Sequence, residues 1–202
     1  MAGKQNNLEV EVKFFVPDLA GFREHLLAAG AVLTKPRIYE RNVRFDTADE
    51  RLYKELSLLR LRQDTAVTLT YKGTPKTLPR SEAKVREELE VQVSDFDTLS
   101  QIFQRLGFAP LQVYEKYRET FTWQDVEIVL DELPYGNFIE LEGDEVGIKT
   151  AVAHLNLNWQ DRILGNYLGL MAQLKAHHNL PFNDLTFANF ANLNISIADI
   201  LP

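Results

Sequence analysis

Polar and apolar residues alternate at period two along much of the first 142 residues, the pattern of strands with one buried face. It predicts strands over 8–16, 32–46, 58–62, 66–72, 85–93, 113–122, 126–133 and 137–142. Gln63-Asp64 would turn one hairpin and Pro134-Tyr135-Gly136 another. Helical spacing predicts a helix from N-cap Asp18 to Gly30, and another from Ser94, with Asp97 three residues on, to Gly107. Residues 48–55 read as a short helix or loop, and 73–84, with glycine, prolines and charges, as a mobile loop. Two more helices are expected over 147–155 and 160–175, the second opened by Asn158 with Asp161 three residues later. The tail from Pro181 takes no assignment. About eight strands on short turns suggest an α+β fold, an antiparallel sheet that closes or nearly closes with helices outside. One unit would span 1–176, leaving 177–202 as a tail of unknown role.

The polar faces carry the chemistry. Residues two apart on a strand share a face. Glu9, Glu11 and Lys13 therefore share one, as do Arg60 and Arg62, Thr68, Thr70 and Lys72, and Arg86, Glu88 and Glu90. So do Lys116 and Arg118, Glu127 and Asp131, and Glu140 and Glu142. These seven strands present seven Lys or Arg and eight carboxylates. A wet outer face explains any one strand. It explains the set less well, because solvated faces also mix in Ser, Gln, Asn and Thr. The other arrangement is an inverted barrel with charges inward, tolerable only if the lumen holds water, opposed charges and a charged ligand. Carboxylates there would gather a divalent metal, and guanidinium and ammonium groups would gather phosphate.

Composition narrows the partners. With 202 residues, 45% hydrophobic, the chain can bury a core without disulfides, and it has no cysteine to form one or to ligate zinc. A net charge of −7 argues against broad nucleic-acid binding. No run of about 18 apolar residues suggests a membrane span, and the N-terminus lacks the apolar stretch of a secretory signal. Cytoplasmic location is the default expectation.

Glu9-Val-Glu11-Val-Lys13, followed in order by the later charged strands, resembles the CYTH family, the triphosphate tunnel metalloenzymes. The stations are Leu59-Arg60-Leu61-Arg62, Thr70-Tyr71-Lys72-Gly73, Arg86-Glu87-Glu88-Leu89-Glu90, Glu115-Lys116-Tyr117-Arg118, Leu130-Asp131-Glu132 and Phe138-Ile139-Glu140-Leu141-Glu142. The resemblance covers about residues 8–175 and implies an eight-stranded antiparallel β-barrel tunnel binding a triphosphate with Mg²⁺ or Mn²⁺. It implies that Lys13, Arg60, Arg62, Lys72, Arg86, Lys116 and Arg118 clamp phosphate, and that Glu9, Glu11, Asp131, Glu140 and Glu142 gather metal. Glu88, Glu90 and Lys13 are then the catalytic candidates, the glutamates serving a second metal or orienting a water.

Three functions stay open on the sequence. In a triphosphatase, water attacks the terminal phosphorus; the full acidic set favours this. In a class IV adenylate cyclase, the ribose 3′-oxygen of ATP attacks the α-phosphorus. A non-catalytic polyphosphate or nucleotide sensor could dispense with the carboxylates. Other features read as structural. His177-His178 ends a helix, and His25 and His154 lie at helix surfaces. Gly73-Thr74-Pro75-Lys76 lacks P-loop spacing and reads as a turn or lid. Trp123 and Trp159 would pack, and the stripe Leu164, Leu168, Met171 and Leu174 would be core or a homodimer surface.

Overall fold

The computed structural model describes residues 7–77 and 80–201. Its eight strands are β1 (Leu8–Phe15), β2 (Val32–Asp46), β3 (Leu58–Gln63), β4 (Val67–Gly73), β5 (Lys84–Val93), β6 (Ala109–Trp123), β7 (Val126–Leu133) and β8 (Gly136–Glu142). They close into a barrel in the order β1-β5-β4-β3-β2-β6-β7-β8. Every pair is antiparallel. β1 completes the ring, pairing Glu9 with Arg86 on β5 and Lys13 with Glu140 on β8.

Apolar outer faces are covered by helices. Val12, Phe14, Ile128, Leu130, Ile139 and Leu141 pack against α1 (Leu19–Ala28) and α4 (Glu145–His154) through Leu26, Ile148, Ala151 and Val152. A one-turn helix, α2 (Arg51–Lys54), joins β2 to β3. α3 (Phe96–Arg105) seats Phe103 on Val43, Phe45 and Leu61. Asp18 caps α1 as expected, accepting from the Gly21 amide at 2.9 Å. A Cβ at Gly21 would stand 2.3 Å from the capping carboxylate, so a larger residue there would push the Asp18 side chain aside. Gly30, at φ +84, takes the left-handed turn that ends the helix.

Several local expectations move. Asp95, not Ser94, caps α3, its carboxylate accepting from Thr98 N at 2.6 Å. Asp144 caps α4 two residues earlier than expected, accepting from Val146 and Gly147. The single helix over 160–175 is broken. Asn158 caps only a 3₁₀ turn, Trp159–Asp161. The chain then extends so that the Ile163 amide donates to the Lys13 carbonyl at 2.8 Å. α5 (Tyr167–His178) starts afresh under Asn166, which accepts from Gly169 at 2.7 Å. A barrel strand thus outcompetes helix propensity across Ile163 to Asn166.

Residues 80–84 of the expected mobile loop are anchored rather than free: Ser81 donates to Glu145 at 2.6 Å and Ala83 is buried. Leu78 and Pro79 lie outside the described residues. Trp159 packs, partly buried, against the core under α4, donating to Glu82 at 2.8 Å with Lys149 and Arg162 against its ring. Trp123 stacks on His154, and His178 pairs with Asp199 at 2.9 Å.

The tail returns to the barrel. Leu185 makes a parallel bridge to Tyr114 on β6, followed by α6 (Phe187–Phe190) and a 3₁₀ turn, Ile197–Asp199. With Leu170, Met171 and Leu174 of α5 it forms an apolar cluster around Tyr114, Leu133 and Phe138. Those three occupy the inward-facing register of Lys116, Asp131 and Glu140. Of the expected stripe, Met171 and Leu174 are therefore core and Leu168 packs against them, while Leu164, before α5, is exposed; this segment stops one end of the lumen with apolar side chains.

Candidate active site inside the barrel

The charged faces point inward and line a cavity of about 1730 Å³. Every site residue named from sequence lines it except Asp131. Asp131 is fully buried behind the wall, accepting from Lys116 Nζ at 3.0 Å, Arg118 Nε at 2.7 Å and Tyr167 Oη at 2.9 Å, and pairing with a second Arg118 nitrogen.

One wall is compensated. Arg118 also reaches Glu140 at 2.6 Å, and Lys13 lies 3.3 Å from Glu140 and 3.5 Å from Glu11. Burial disfavours both charges of the Lys13–Glu140 pair, but the neighbours win. Lys13 is raised by Glu11 and Glu140, and Glu140 is held well below the ordinary carboxylate range by Lys13 and Arg118. Lys13 therefore stays an ammonium at neutral pH. Glu40, lowered to about 2 against burial by Lys116 and Arg118, adds a carboxylate 3.6 Å from Lys116.

A second sector carries a carboxylate surplus. The Lys72 ammonium holds both Glu9 oxygens at 2.6 and 2.7 Å and lies 3.2 Å from Glu88, while Lys84 holds Glu11 at 2.5 Å. Glu142 stands opposite Glu11 on β1 and Glu127 on β7. Burial, then Glu9 and Glu127, push Glu142 up to about 7. Burial, opposed by Lys72 and aided by Glu9 and Glu90, pushes Glu88 up to about 7. Glu90 goes the other way: despite burial, the Thr70 hydroxyl at 2.6 Å and Arg60 lower it.

A third sector gathers arginines. Arg60 donates to Tyr114 Oη at 3.1 Å and Thr70 at 3.0 Å. Among the described residues, the Nε groups of Arg44, Arg60 and Arg62 are buried without a hydrogen-bond acceptor, although Arg62 Nε lies 3.2 Å from Asp64. Neighbouring Asn42, fully buried, has both amide atoms unpartnered. Arg86 differs from the other predicted clamps. It donates to the carbonyls of Gly73, Leu56 and Lys72, so it ties strand ends together.

Sequence reasoning missed several lining groups. Lys84 continues the Arg86–Glu88–Glu90 face, but its strand was begun one residue late. Glu40 and Arg44 follow period two on β2, a signal blurred by Arg41 on the outer face and by three register shifts. Tyr114 and Tyr167 had no charge to mark them.

The donor set suits a hard divalent cation: oxygen ligands in surplus and no thiol. Among the described residues, however, no three His, Asp or Glu side chains already converge on one point. Glu9, Glu11, Glu88, Glu90, Asp131 and Glu140 are instead held by lysines and arginines.

Comparison with known proteins agrees with this architecture. A family model described as the CYTH domain matches residues 7–155. A Methanocaldococcus jannaschii protein described as a candidate adenylate cyclase is 34% identical over 137 residues, covering 67% of this chain and 76% of that protein. The crystal structure of a candidate adenylate cyclase from Vibrio parahaemolyticus superposes with TM-score 0.69 at 20% identity, covering 81% of this chain and 97% of that one. A Hippeastrum protein described as a candidate adenylyl cyclase with a dominant triphosphatase activity gives TM-score 0.56 at 18% identity, covering 79% and 90%.

Proposed function

The chain belongs to the CYTH domain family, and from that premise we propose that it hydrolyses a triphosphate inside the lumen with the help of a divalent metal. The observation that carries the reading is the inward placement of Arg44, Arg60 and Arg62 together on one sector of the lumen. Phosphate oxygens are acceptors whose geometry suits a guanidinium. Lys13, Lys116 and Arg118 extend the clamp around the lumen, and Lys72 can leave its carboxylates to join them. Arg86 braces the β4–β5 edge.

Mg²⁺ or Mn²⁺ would be held by Glu9, Glu11, Glu140 and Glu142, and when bound supplies neutralisation of phosphate charge. Asp131 has its lone pairs committed to Lys116, Arg118 and Tyr167, so its role here is to position those groups. Glu88, at about 7, is the carboxylate suited to take a proton from an attacking water. Glu90 accepts from Thr70 and lies 3.4 Å from Arg60, and so orients that arginine. Positioning and electrostatics then supply most of the rate, as phosphoryl transfer demands.

The second reading is an adenylate cyclase. It draws on the Methanocaldococcus relative's description and on a cavity of about 1730 Å³, much larger than a bare tripolyphosphate fills. The triphosphatase activity ascribed to the Hippeastrum relative points back to the first. Pure protein assayed with tripolyphosphate, thiamine triphosphate and ATP, under Mg²⁺ and Mn²⁺, decides. Phosphate release without cyclic AMP supports hydrolysis. Cyclic AMP as the main product overturns it, and tight binding without turnover under either metal would make the protein a sensor.

A further inference from the structure

The matched family region ends at residue 155, yet the lumen is completed by a side chain beyond it. Tyr167 is the first residue of α5 and is buried. Its ring centroid lies 5.1 Å from Lys13 Nζ and 5.5 Å from Lys116 Nζ, so one aromatic ring serves two ammonium groups. The phenol donates to Asp131 at 2.9 Å, and the Tyr167 carbonyl accepts from the Tyr135 hydroxyl at 2.9 Å. Phe138 meets the ring edge-on, with centroids 5.2 Å apart. The segment just before it is fastened to Lys13 itself, through the Ile163 amide. Ring, hydroxyl and backbone are thus each fixed independently, which is more than packing a tyrosine requires.

Both lysines are almost completely buried, and their nearest carboxylates beyond Asp131 stand 3.3 to 3.6 Å away. Such buried ammonium groups gain from stabilisation beyond their ion pairs. Another carboxylate would supply it but would repel an incoming polyanion. An aromatic face attracts a cation through its quadrupole without adding net charge, and does so most strongly where water is excluded. We propose that Tyr167 is a positioning residue that holds Lys13 and Lys116 aimed at the phosphate site, so that the segment after the family domain takes part in substrate binding. This rests on the reading of those two lysines as phosphate clamps.

The test separates ring from hydroxyl in the full-length protein, using tripolyphosphate binding by calorimetry in EDTA, where metal and turnover play no part. Tyr167→Leu should weaken binding about tenfold, the scale of a desolvated cation–π contact. Tyr167→Phe, which restores the ring, should recover affinity to within about threefold. Unchanged affinity in Tyr167→Leu alongside a lowered Tm would make the residue merely structural and overturn the proposal. Equal losses in the Phe and Leu variants would assign the effect to the Asp131 hydrogen bond, overturning it as well. Wild-type protein that binds no tripolyphosphate would sink the phosphate reading itself, a different failure. Should Tyr167→Leu not fold, lysine side-chain NMR of the wild type decides. The ε-methylene protons of Lys13 and Lys116 should both show upfield ring-current shifts that Tyr167→Phe preserves, and their absence overturns the proposal.

Discussion

The two walls of the lumen use the same residue types to opposite ends. Around Asp131 the charges are matched: Lys116, Arg118 and Tyr167 converge on it, and Glu140 sits between Arg118 and Lys13. Around Glu9 they are not. Lys72 serves both Glu9 and Glu88, while Glu142 and Glu127 face each other across β7 and β8, with no lysine or arginine among their hydrogen-bonded or ion-paired partners in the described residues. The first wall is finished by the protein alone and can be rigid without ligand. The second stores like-charge repulsion that a cation would relieve. Burial by itself does not decide which behaviour a charged strand shows; the count of opposite charges within reach does.

The largest expected effect comes from breaking the matched wall. Asp131→Ala strands two buried cations and should cost about 3–5 kcal/mol of stability, read as a large drop in urea midpoint. A loss under 1 kcal/mol would mean that Lys116 and Arg118 are not held by this residue. Next comes the unmatched wall. Glu9→Gln with Glu11→Gln should reduce metal-dependent turnover about 10³-fold while circular dichroism stays native. Surviving activity would remove these residues from the metal site. Smaller again, Glu88→Gln should slow turnover about 10²-fold, the lower range for a lost general base, and erase the acid-side limb of the pH–rate profile.

These contrasts explain what could be read from the sequence. Period-two charge on seven strands was enough to put every predicted site residue but Asp131 on the lumen, because strand geometry fixes side-chain direction. It could not separate Asp131 from Glu142. Both are inward-register carboxylates on neighbouring strands, and only the three-dimensional count of cations distinguishes them. Nor could it find the aromatic closure. Tyr114, Leu133 and Phe138 end charged faces in apolar residues, which looks like a strand simply running out. Only the return of α5 and Leu185 onto β6 gives those residues a partner. The broken helix near Ile163 was hidden for the same reason: the competing partner, the Lys13 carbonyl, is 150 residues away in sequence.

The smallest effect gives the sharpest view of the unmatched wall. Glu88 titrates at about 7 in the folded protein, against an ordinary value of 4.5. Between those values the native state keeps a proton that the unfolded chain has lost. Stability of the metal-free protein therefore falls through this group as pH rises from about 4.5 to about 7, and the penalty is complete above that. At about 1.4 kcal/mol per unit the full shift would exceed 3 kcal/mol; with the side chain 20% exposed, solvent screening reduces this to about 1–2 kcal/mol. Glu142 adds a contribution of the same sign, smaller because it is more exposed. Glu11 and Glu40, lowered to about 2, have the opposite slope, but theirs is spent below 4.5. Denaturation of wild type and Glu88→Gln in EDTA at pH 5 and pH 8 isolates the term. The variant should gain about 1–2 kcal/mol on wild type at pH 8 and almost nothing at pH 5. Adding Mg²⁺ should stabilise wild type more at pH 8, where the carboxylates are charged, than at pH 5. An equal difference between the two proteins at both pH values would mean that this wall holds no surplus charge, and the contrast with the Asp131 wall would fail.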